Sequence, residues 1–548
     1  MFCYQCEQTF NGEGCTKRGV CGKSPEVSGL IDLTIHAAKS LSQYANRARL
    51  AGLVDSEINR ITVDALFSTI TNVNFDPERY VKLLKLLHVE KNRAKELYKK
   101  ACDKSGKKLD DFTELEDWNP NSSLDDLIKY GESLEIPKRI NDIGAEITGL
   151  HELLMYGIKG AAAYTSHAEI LGQEDDNVYA FFHEALDFLS QNPLDKGKLL
   201  QLIDKCGKIN LRVMELLDQA NTSSYGNPIP AKVRVTPIKG KAILVSGHDL
   251  KDLEEILKQT EGKGINIYTH GEMLPCHGYP ALKKYKHLVG NYGSAWQNQQ
   301  KEFAAFPGAI LMTTNCIQSP REVYSDRIFT CGLVGWPNVK HISDRNFQLV
   351  IDAANKAEGF LEDEQEQFIT VGFGHNAVLG IADKIVDAVK SKKIRHFFLI
   401  GGCDGAKPGR NYYTEFAEQV PKDCVILTLA CGKYRFNKKD FGEVNGIPRL
   451  IDCGQCNDAF SAIKIVSELA KVFGCGVNDL PCSLILSWYE QKAVAILLTL
   501  LHLGIKNMRI GPSLPAFITL PILQVLIDKF NIQLIKDPKT DLQEILGK

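Results

Sequence analysis

One pattern recurs seven times after residue 240 of this 548-residue chain, and it limits the folds that the chain can adopt. In each copy a short apolar run, typical of a buried strand, is followed within a few residues by a cysteine, a histidine or a glutamate. The clearest copy is 396–405, where the run Phe397 to Ile400 ends at two glycines and Cys403. Ligands of open parallel sheets bind beyond the carboxyl ends of the strands. The pattern therefore predicts parallel-sheet domains with metal-type ligands gathered at that edge.

The residues at these seven strand ends are all thiols, imidazoles or carboxylates. They are His248, Glu272, Cys316, Cys403, Cys431, Cys456 and Glu490. A single cysteine near a strand end is usually a small buried hydrophobe, and a single glutamate there usually lies at a helix start. Seven together argue for a shared metal site. Mixed soft and hard ligands suit iron bridged by sulfur and oxygen better than a simple cubane.

A second group of four cysteines lies in a glycine-rich segment at the start of the chain. They are Cys3, Cys6, Cys15 and Cys21. Four thiolates so close in sequence can hold an iron–sulfur cluster, and four cysteines can also hold structural zinc. The spacing favours iron–sulfur and leaves zinc open. Because 16 cysteines in a large chain without a signal-peptide pattern point to metal or redox chemistry, a disulfide framework is not expected.

Length and charge exclude several classes of function. A chain of 548 residues is too long for one core and predicts about three domains. The formal net charge of −2 gives no reason to expect binding to nucleic acid or to an acidic membrane. The longest apolar run falls short of the roughly 20 residues that a membrane helix needs. We therefore expect a soluble, cytoplasmic protein.

The order of periodic patterns predicts a multidomain α and α/β fold. Helical periodicity dominates to residue 220, so 1–220 is predicted as a helical-bundle domain that carries the first four cysteines. A Pro-, Gly- and Ser-containing linker, 221–238, follows. Strand and helix patterns then alternate, and a strand–Gly-His–helix motif occurs at His248 and again at His375. This weak repeat divides the remainder into α/β domains at 239–365 and 366–548.

Several other polar groups and thiols have weaker claims to chemistry. In the helical region no glutamate stands three residues before a histidine, as a di-iron bundle would require, so the groups there are interpreted as structural: His151, Glu152, His167 and His183. Cys276 and His277 follow Glu272 closely and could compete as ligands, and Cys453 with Cys456 could form a redox dithiol. Six further thiols are expected to be inert: Cys102, Cys206, Cys331, Cys424, Cys475 and Cys482.

Longer motifs around the candidate ligands resemble the hybrid-cluster proteins, also called prismane proteins or hydroxylamine reductases, over the whole chain. They are Phe2-Cys-Tyr-Gln-Cys-Glu-Gln-Thr, Ser246-Gly-His-Asp-Leu, His270-Gly-Glu-Met-Leu-Pro, Thr313-Thr-Asn-Cys316, Gly401-Gly-Cys-Asp-Gly405, Ala430-Cys-Gly-Lys-Tyr, Gly454-Gln-Cys-Asn-Asp and Trp488-Tyr-Glu-Gln-Lys492. The resemblance implies a helical domain and two Rossmann-like α/β domains, with the active cluster at their junction.

The resemblance also implies two cofactors. A 4Fe–4S cubane would be held by the four N-terminal cysteines, whose compact spacing is similar to that of the 4Fe–4S type. A hybrid 4Fe–2S–2O cluster would be held by the seven strand-end residues, with Cys403 as a persulfide and Lys492 nearby. The paired glycines before Cys403 are expected to let the backbone pass close to that cluster.

The implied reaction converts hydroxylamine, two electrons and two protons into ammonia and water. Reduction of nitric oxide, protection against nitrosative stress and S-nitrosylation of other proteins are alternatives, and a carbon monoxide dehydrogenase-like enzyme is a weaker one. No nicotinamide- or flavin-binding glycine pattern follows a strand, so an external ferredoxin-type or flavin/iron–sulfur donor is expected. We predict that Glu272 is a labile ligand and that Lys492 or His375 donates a proton.

Overall fold

The computed structural model describes residues 1–547, and the first part of the chain is helical. Its helices are α1 Pro25–Leu50, α2 Ser56–Ser68, α3 Pro77–Ser105, α4 Leu124–Glu132, α5 Ile136–Ile143, α6 Ala145–Ile170, α7 Asp176–Ser190 and α8 Lys196–Tyr225. Ser123 caps α4 by accepting a hydrogen bond from the Asp126 N–H, and Pro137 lies in the first turn of α5. Helix α8 continues past residue 220, so the predicted linker begins later than its composition indicated.

Helix α6 lies at the centre of this region and is buried on all sides from Ile147 to Ala168. It packs against α2 and α8, and α1 packs against α3, α4 and α7. Helix α6 therefore belongs to the interior of the protein, and its buried face includes polar side chains such as Glu152 and Lys159. None of the helices in residues 1–547 is long and apolar enough to cross a membrane.

Strands and helices alternate beyond the linker, as the sequence predicts. The strands are β1 Ala231–Arg234, β2 Lys241–Ser246, β3 Ile265–His270, β4 Leu288–Asn291, β5 Ala309–Met312, β6 Ile328–Cys331, β7 Lys340–Ile342, β8 Phe368–Val371, β9 His396–Gly402, β10 Cys424–Thr428, β11 Glu443–Val444, β12 Ile447–Pro448, β13 Leu450–Asp452, β14 Cys482–Ser487, β15 Arg509–Gly511 and β16 Gln533–Leu534. The helices are α9 Leu250–Thr260, α10 Pro280–Lys283, α11 Gln299–Ala305, α12 Gln348–Lys356, α13 His375–Leu379, α14 Ala382–Lys390, α15 Asn411–Gln419, α16 Ala459–Phe473, α17 Gln491–His502, α18 Leu520–Phe530 and α19 Pro538–Leu546.

Two six-stranded sheets hold the seven predicted strand ends. The first has the order β4-β3-β2-β5-β6-β7 and the second the order β13-β10-β9-β14-β15-β16, and every pairing within them is parallel. The ligand-bearing strands are neighbours, β3-β2-β5 in one sheet and β13-β10-β9-β14 in the other. Parallel neighbours end at the same edge, so each sheet presents its candidate ligands side by side.

The helical region and the second sheet share one hydrophobic core. Helix α17, which follows β14, packs against α6 and α8. A single cluster of buried side chains runs from Tyr4 through Leu154 and Phe397 to Ile522. Strand β1, within the predicted linker, pairs antiparallel with β8 at the start of the last third of the chain. These contacts join the three predicted units.

Candidate metal centres

All seven strand-end residues line one buried cavity, here called the crevice. The first sheet contributes three of them and the second sheet four: His248, Glu272, Cys316, Cys403, Cys431, Cys456 and Glu490. The cavity volume is about 30 Å³, against the ~10–15 Å³ that one water molecule requires. The crevice is therefore larger than the space for a single ion, and its lining is rich in groups that bind metals.

Three of these ligand groups stand closest together. Ligand atoms of His248, Glu272 and Cys456 all lie within 4.8 Å of one another. The Cys456 N–H donates to Glu272 Oε2 at 2.8 Å, while Glu272 Oε1 is buried without a partner. Leaving a buried carboxylate oxygen unpaired is costly. The donor set and this unpaired oxygen therefore fit a cationic group in the crevice.

Lys492 orders the polar side of the crevice. Its Nζ lies 3.1 Å from His248 Nε2 and 3.2 Å from Asn315 Oδ1. Burial alone would lower the pKa of Lys492, but Cys456, Glu490 and other acidic neighbours raise it above its ordinary value. The ammonium group therefore donates to Nε2, and His248 Nδ1–H is left to donate to Thr314 Oγ1 at 2.9 Å. Burial and the Lys492 charge lower the pKa of His248, so the ring stays neutral, and Nε2 is free to bind a metal once the Lys492 hydrogen bond is released.

The paired glycines before Cys403 have a structural reason in the neighbouring strands. Gly402 has φ +103°, and a Cβ there would lie 2.1 Å from the Ser487 carbonyl oxygen of β14. A Cβ on Gly401 would lie 2.9 Å from the Leu429 carbonyl oxygen. Adjacent backbone, before any cluster is considered, already demands glycine here. The close approach lets the Cys403 N–H donate to the Ser487 carbonyl at 2.9 Å.

Helix α6 supplies crevice neighbours that the sequence did not indicate. The Tyr164 hydroxyl is buried without a partner, and burial together with Cys456 and Glu490 raises the pKa of its phenol. His167, interpreted from the sequence as structural, lies 3.7 Å from Asp249, next to a candidate ligand. In the sequence, the feature that indicates a close approach of α6 to the crevice is the run of small residues around Gly160. A Cβ on Gly160 would lie 2.2 Å from the Gln491 carbonyl oxygen, so glycine lets α6 reach the crevice.

The four N-terminal cysteines form a second candidate centre. The backbones of Cys3 and Cys15 exchange hydrogen bonds of 3.0 and 2.8 Å, and none of the four is in a disulfide. Burial raises the pKa of Cys6, and the nearby Cys21, Cys3 and Cys15 raise it further, so four thiolates require a cation. Either an iron–sulfur cluster or zinc can supply that charge.

The N-terminal loop docks directly on the segment that carries Glu490. The Glu7 N–H donates to the Tyr489 carbonyl at 2.9 Å, and Gln491 Nε2 donates to the Gln5 carbonyl at 2.6 Å. The rings of Trp296 and Tyr489 lie 4.5 Å apart and pack in one cluster with cysteines of both centres. An aromatic pair therefore separates the N-terminal cysteines from the crevice.

Other predicted candidates lie elsewhere. His375 begins α13, with its Nδ1 3.6 Å from Asp218 Oδ1, and it is not among the residues that line the crevice. Cys276 is buried in the core of the first sheet, and Cys453 in the shared core. His277 contacts Thr269 at 3.1 Å. None of these side chains competes for the crevice as the structure places them.

Comparison with known proteins gives matches over the full length of the chain. A family model described as Prismane/CO dehydrogenase family matches residues 1–543. The chain is 58% identical over 547 residues to a protein of Syntrophobacter fumaroxidans named hydroxylamine reductase, with 100% of each covered. It is 55% identical over 548 residues to a protein of the same name from Maridesulfovibrio salexigens, again with 100% of each covered.

Solved structures show the same fold. Carbon monoxide dehydrogenase IV from Carboxydothermus hydrogenoformans matches with a TM-score of 0.57 at 14% identity, covering 99% of this chain and 92% of that one. A nickel-free carbon monoxide dehydrogenase from Thermococcus sp. AM4 matches with a TM-score of 0.56 at 15% identity, covering 100% of this chain and 90% of that one. The fold is thus a multidomain α/β fold with parallel sheets, similar to that of carbon monoxide dehydrogenases.

Proposed function

Because the chain belongs to the Prismane/CO dehydrogenase family, we propose that it is a hydroxylamine reductase, which converts hydroxylamine, two electrons and two protons into ammonia and water. The observation that carries the proposal is the convergence of seven ligand-type side chains from two sheets on one crevice. The full-length relatives named hydroxylamine reductase support the same reaction.

The two groups of side chains suit two iron–sulfur cofactors. The four N-terminal cysteines would hold a 4Fe–4S cluster, which their compact spacing in one loop favours. The seven crevice residues would hold a hybrid 4Fe–2S–2O cluster, with Cys403 as its persulfide ligand. When bound, the hybrid cluster would supply an open iron position for the substrate and the electrons that reduce it.

Lys492 and Glu272 are the residues best placed to manage protons. Hydroxide is a poor leaving group and departs readily only as water, so a proton must reach the substrate oxygen. The buried Lys492 ammonium, 3.1 Å from His248 Nε2, can donate that proton. The unpaired Glu272 Oε1 can bind metal or accept a proton as its surroundings change. His375 stays a second candidate donor, although it contacts Asp218 rather than the crevice.

Electrons would enter from an external ferredoxin-type or flavin/iron–sulfur donor at the N-terminal cysteines. Cys3 and Cys21 are partly exposed, whereas Cys6 is buried against the aromatic pair. Tyr489 lies between the two groups of cysteines, since its backbone holds Glu7 and its ring stacks on Trp296. This arrangement offers a direct protein path from the surface centre to the crevice.

The activity is tested by anaerobic turnover with reduced viologen as the electron donor. We expect hydroxylamine to be consumed with formation of one equivalent of ammonia. Iron and acid-labile sulfide analysis of the same sample should give about eight irons with fewer sulfides than two cubanes would contain. Intact metal content without hydroxylamine turnover would reject the reductase. Zinc in place of iron would reject the N-terminal assignment, and nickel would instead favour carbon monoxide chemistry.

The role of Glu272 is tested by Glu272→Gln, which keeps the size of the side chain and its acceptor for the Cys456 N–H. General acid–base groups contribute about 10²–10⁴-fold to rate, so kcat should fall by about a hundredfold or more. Glu261→Gln, which changes an exposed glutamate, is the matched control. Full turnover by Glu272→Gln with a normal metal content would reject the role.

A second cavity favours nitric oxide as an alternative substrate. It has a volume of about 300 Å³ and lies between α16 and α17, and its lining is largely aliphatic. The lining includes Cys403 and Cys456 of the crevice as well as the exposed Asn478 and Lys506. Nitric oxide is a small uncharged gas, so it can enter an apolar passage at little cost. Hydroxylamine would have to give up its hydrogen bonds to water to do the same.

A variant that narrows this cavity distinguishes entry of nitric oxide from entry of hydroxylamine. Ala462→Phe places a ring in the lining, whereas Ala470→Phe changes a buried alanine of the same helix that does not line the cavity. If nitric oxide enters here, Ala462→Phe lowers its kcat/KM and leaves that for hydroxylamine unchanged. Equal effects of both variants on both substrates would reject the passage. Nitrosyl transfer through Cys276 or Cys453 is less favoured, because both thiols are buried.

A further inference from the structure

An open polar cavity, here called the vestibule, lies beside the crevice. It is bounded by the loop 404–411 after β9 and by the segment 294–298, and its volume is about 640 Å³. Asn298, Ala406 and Asn411 belong to its lining and are exposed, so a molecule can enter it from solvent. Because ligands of parallel sheets bind beyond the carboxyl ends of the strands, the end of β9 is a favourable place for such a space.

Directly bonded residues separate the vestibule from the crevice. The indole N–H of Trp296, which lines the crevice, donates to the carbonyl of Asp404, which lines the vestibule, at 3.0 Å. The hydroxyl of Tyr434, another vestibule residue, donates to the carbonyl of Gly271 in the crevice at 2.8 Å. The partition between the two spaces is therefore thin, and a shift of a few side chains would connect them.

The charges around the vestibule are paired. Among residues 1–547 its lining holds three cationic side chains and one carboxylate, Asp404. Arg435 donates to Asp404 Oδ1 at 2.8 Å, and Lys407 and Arg410 contact the buried Glu7 at 3.4 and 2.7 Å. Each cationic group thus has a carboxylate partner. A free anion would gain little here and a cation would meet an excess of positive charge, so the vestibule suits a neutral polar molecule.

Two buried polar atoms of the vestibule lining have no hydrogen-bond partner within residues 1–547. Gln297 Nε2 donates to Asp404 Oδ2 at 2.7 Å, but Gln297 Oε1 is unpaired. Arg410 is 1% exposed, and its Nε is unpaired although its terminal nitrogens are bonded. A Cβ on Gly405 would lie 3.0 Å from this Nε, so glycine keeps the nitrogen uncovered. Since buried polar atoms are nearly always paired with protein, water or ligand, one acceptor and one donor are left for a bound molecule.

This pair of groups matches the chemistry of hydroxylamine. Its amino and hydroxyl groups both donate and accept hydrogen bonds, so it can donate to Gln297 Oε1 and accept from Arg410 Nε. A polar molecule in the vestibule therefore exchanges bonds with water for bonds with protein. The aliphatic cavity between α16 and α17 offers no such exchange, whereas the vestibule lining within residues 1–547 contains no leucine, isoleucine or valine.

We propose that the vestibule is an outer binding site for neutral hydroxylamine, which is held by Gln297 Oε1 and Arg410 Nε and then enters the crevice past Asp404. The proposal rests on the proposed reductase function and adds the route of its substrate. Nitric oxide, entering through the aliphatic cavity, does not use this site. The two candidate substrates thus reach the crevice from different sides.

Rapid freeze-quench electron paramagnetic resonance of the reduced holoprotein tests the route without relying on turnover. The rate at which hydroxylamine changes the spectrum is compared with the rate for nitric oxide. Ala406→Trp places a ring at the exposed mouth of the vestibule, so it should slow the change caused by hydroxylamine and leave that caused by nitric oxide unaltered. Ala305→Trp changes an exposed alanine outside the lining and should affect neither rate.

Gln297→Met tests the binding contact, because it keeps the length of the side chain and removes the acceptor. A neutral hydrogen bond changes affinity by about two- to tenfold. The KM for hydroxylamine should therefore rise by that factor, and by more than kcat falls. Gln300→Met, in the same part of the chain and outside the lining, is the matched control. A lowered melting temperature in Gln297→Met with an unchanged KM would show a structural role and reject the binding site.

The outcomes separate the route from the reductase function. If Ala406→Trp slows nitric oxide as much as hydroxylamine, or slows neither, the vestibule is not the route, while ammonia formation by the parent protein still supports the reductase. If hydroxylamine neither changes the spectrum of the parent protein nor is consumed by it, both the route and the reductase are rejected.

Discussion

The two groups of cysteines are built in opposite ways. The N-terminal centre takes four thiols from one short loop, and two of them, Cys3 and Cys21, are partly exposed. The crevice takes its ligands from seven strand ends spread over two sheets, and residues such as His248 and Glu490 are buried. A local centre depends mainly on the order of residues in one loop, whereas the crevice exists only after both sheets have folded and met.

The N-terminal centre is nevertheless not independent of the crevice. Its loop is held by the buried pair Glu7–Arg410 at 2.7 Å and by hydrogen bonds to Tyr489 and Gln491. Arg410 belongs to the loop after Cys403, so a ligand segment of the crevice also anchors the N-terminal cysteines. The two centres are built from different segments of the chain, and both depend on the loop that carries Arg410.

Removing one thiol from each centre should have the largest effect. Cys6→Ala should lose about half of the iron while the crevice keeps its own, and Cys456→Ala should lose the other half. Iron analysis and electron paramagnetic resonance of both variants check this, with Cys453→Ala as the buried-thiol control. If Cys456→Ala also strips the N-terminal iron, the centres are not built separately.

Breaking the shared support should have the next largest effect. Removing one partner of a buried ion pair costs about 3–5 kcal/mol, so Arg410→Met should lower the free energy of unfolding in urea by that amount and loosen the N-terminal loop. Lys407 contacts Glu7 at 3.4 Å and is one-third exposed. Lys407→Met should therefore cost no more than about 1 kcal/mol. Equal costs would show that the buried pair is not the anchor.

The close approach of α6 to the crevice gives a third prediction. Overpacking costs about 1–3 kcal/mol, so Gly160→Ala should lower the free energy of unfolding, because its Cβ meets the Gln491 carbonyl at 2.2 Å. It should also disturb the crevice iron more than the N-terminal iron. Gly197→Ala, at the start of α8, would place its Cβ 3.3 Å from the Asp195 side chain, a much looser contact, so it should change the free energy of unfolding less than Gly160→Ala. Urea unfolding curves of the two variants measure the difference.

The smallest predicted effect is a loss of folding stability in acid, which arises from a buried histidine in the helical region. His183 lies between Ser42 and Asn59 at 3.1 Å from each, and burial lowers its pKa from 6.5 to about 3. The folded state therefore loses stability as pH falls below 6.5, by about 1 kcal/mol at pH 6 and about 2 kcal/mol at pH 5.

His183→Gln removes this titrating group, so its unfolding free energy should change less between pH 7 and pH 5 than that of the parent protein. Urea unfolding at the two pH values checks the difference. An unchanged pH dependence in the variant would mean that His183 is not held neutral by burial.

Sequence patterns predicted the alternating strands and all seven residues that meet in the crevice, because a buried strand and the residue after it are local features. They did not predict Tyr164 and His167 near the crevice, since both lie on a helix distant in sequence. They also missed the length of α8, because propensity near a linker is a weak guide to where a helix ends. The glycines before Cys403 were recognised, but the neighbouring Ser487 carbonyl that requires one of them is a tertiary contact.

The sequence by itself determined which residue types stand at each strand end and which cysteines share a loop, since strand periodicity and ligand spacing are written in neighbouring residues. Only the tertiary structure decided that the two sheets face each other across one crevice, that α6 approaches the Glu490 segment through Gly160, and that the N-terminal loop rests on Tyr489 and Arg410. Those contacts depend on packing between segments hundreds of residues apart, where burial and close approach, rather than local preference, select the arrangement.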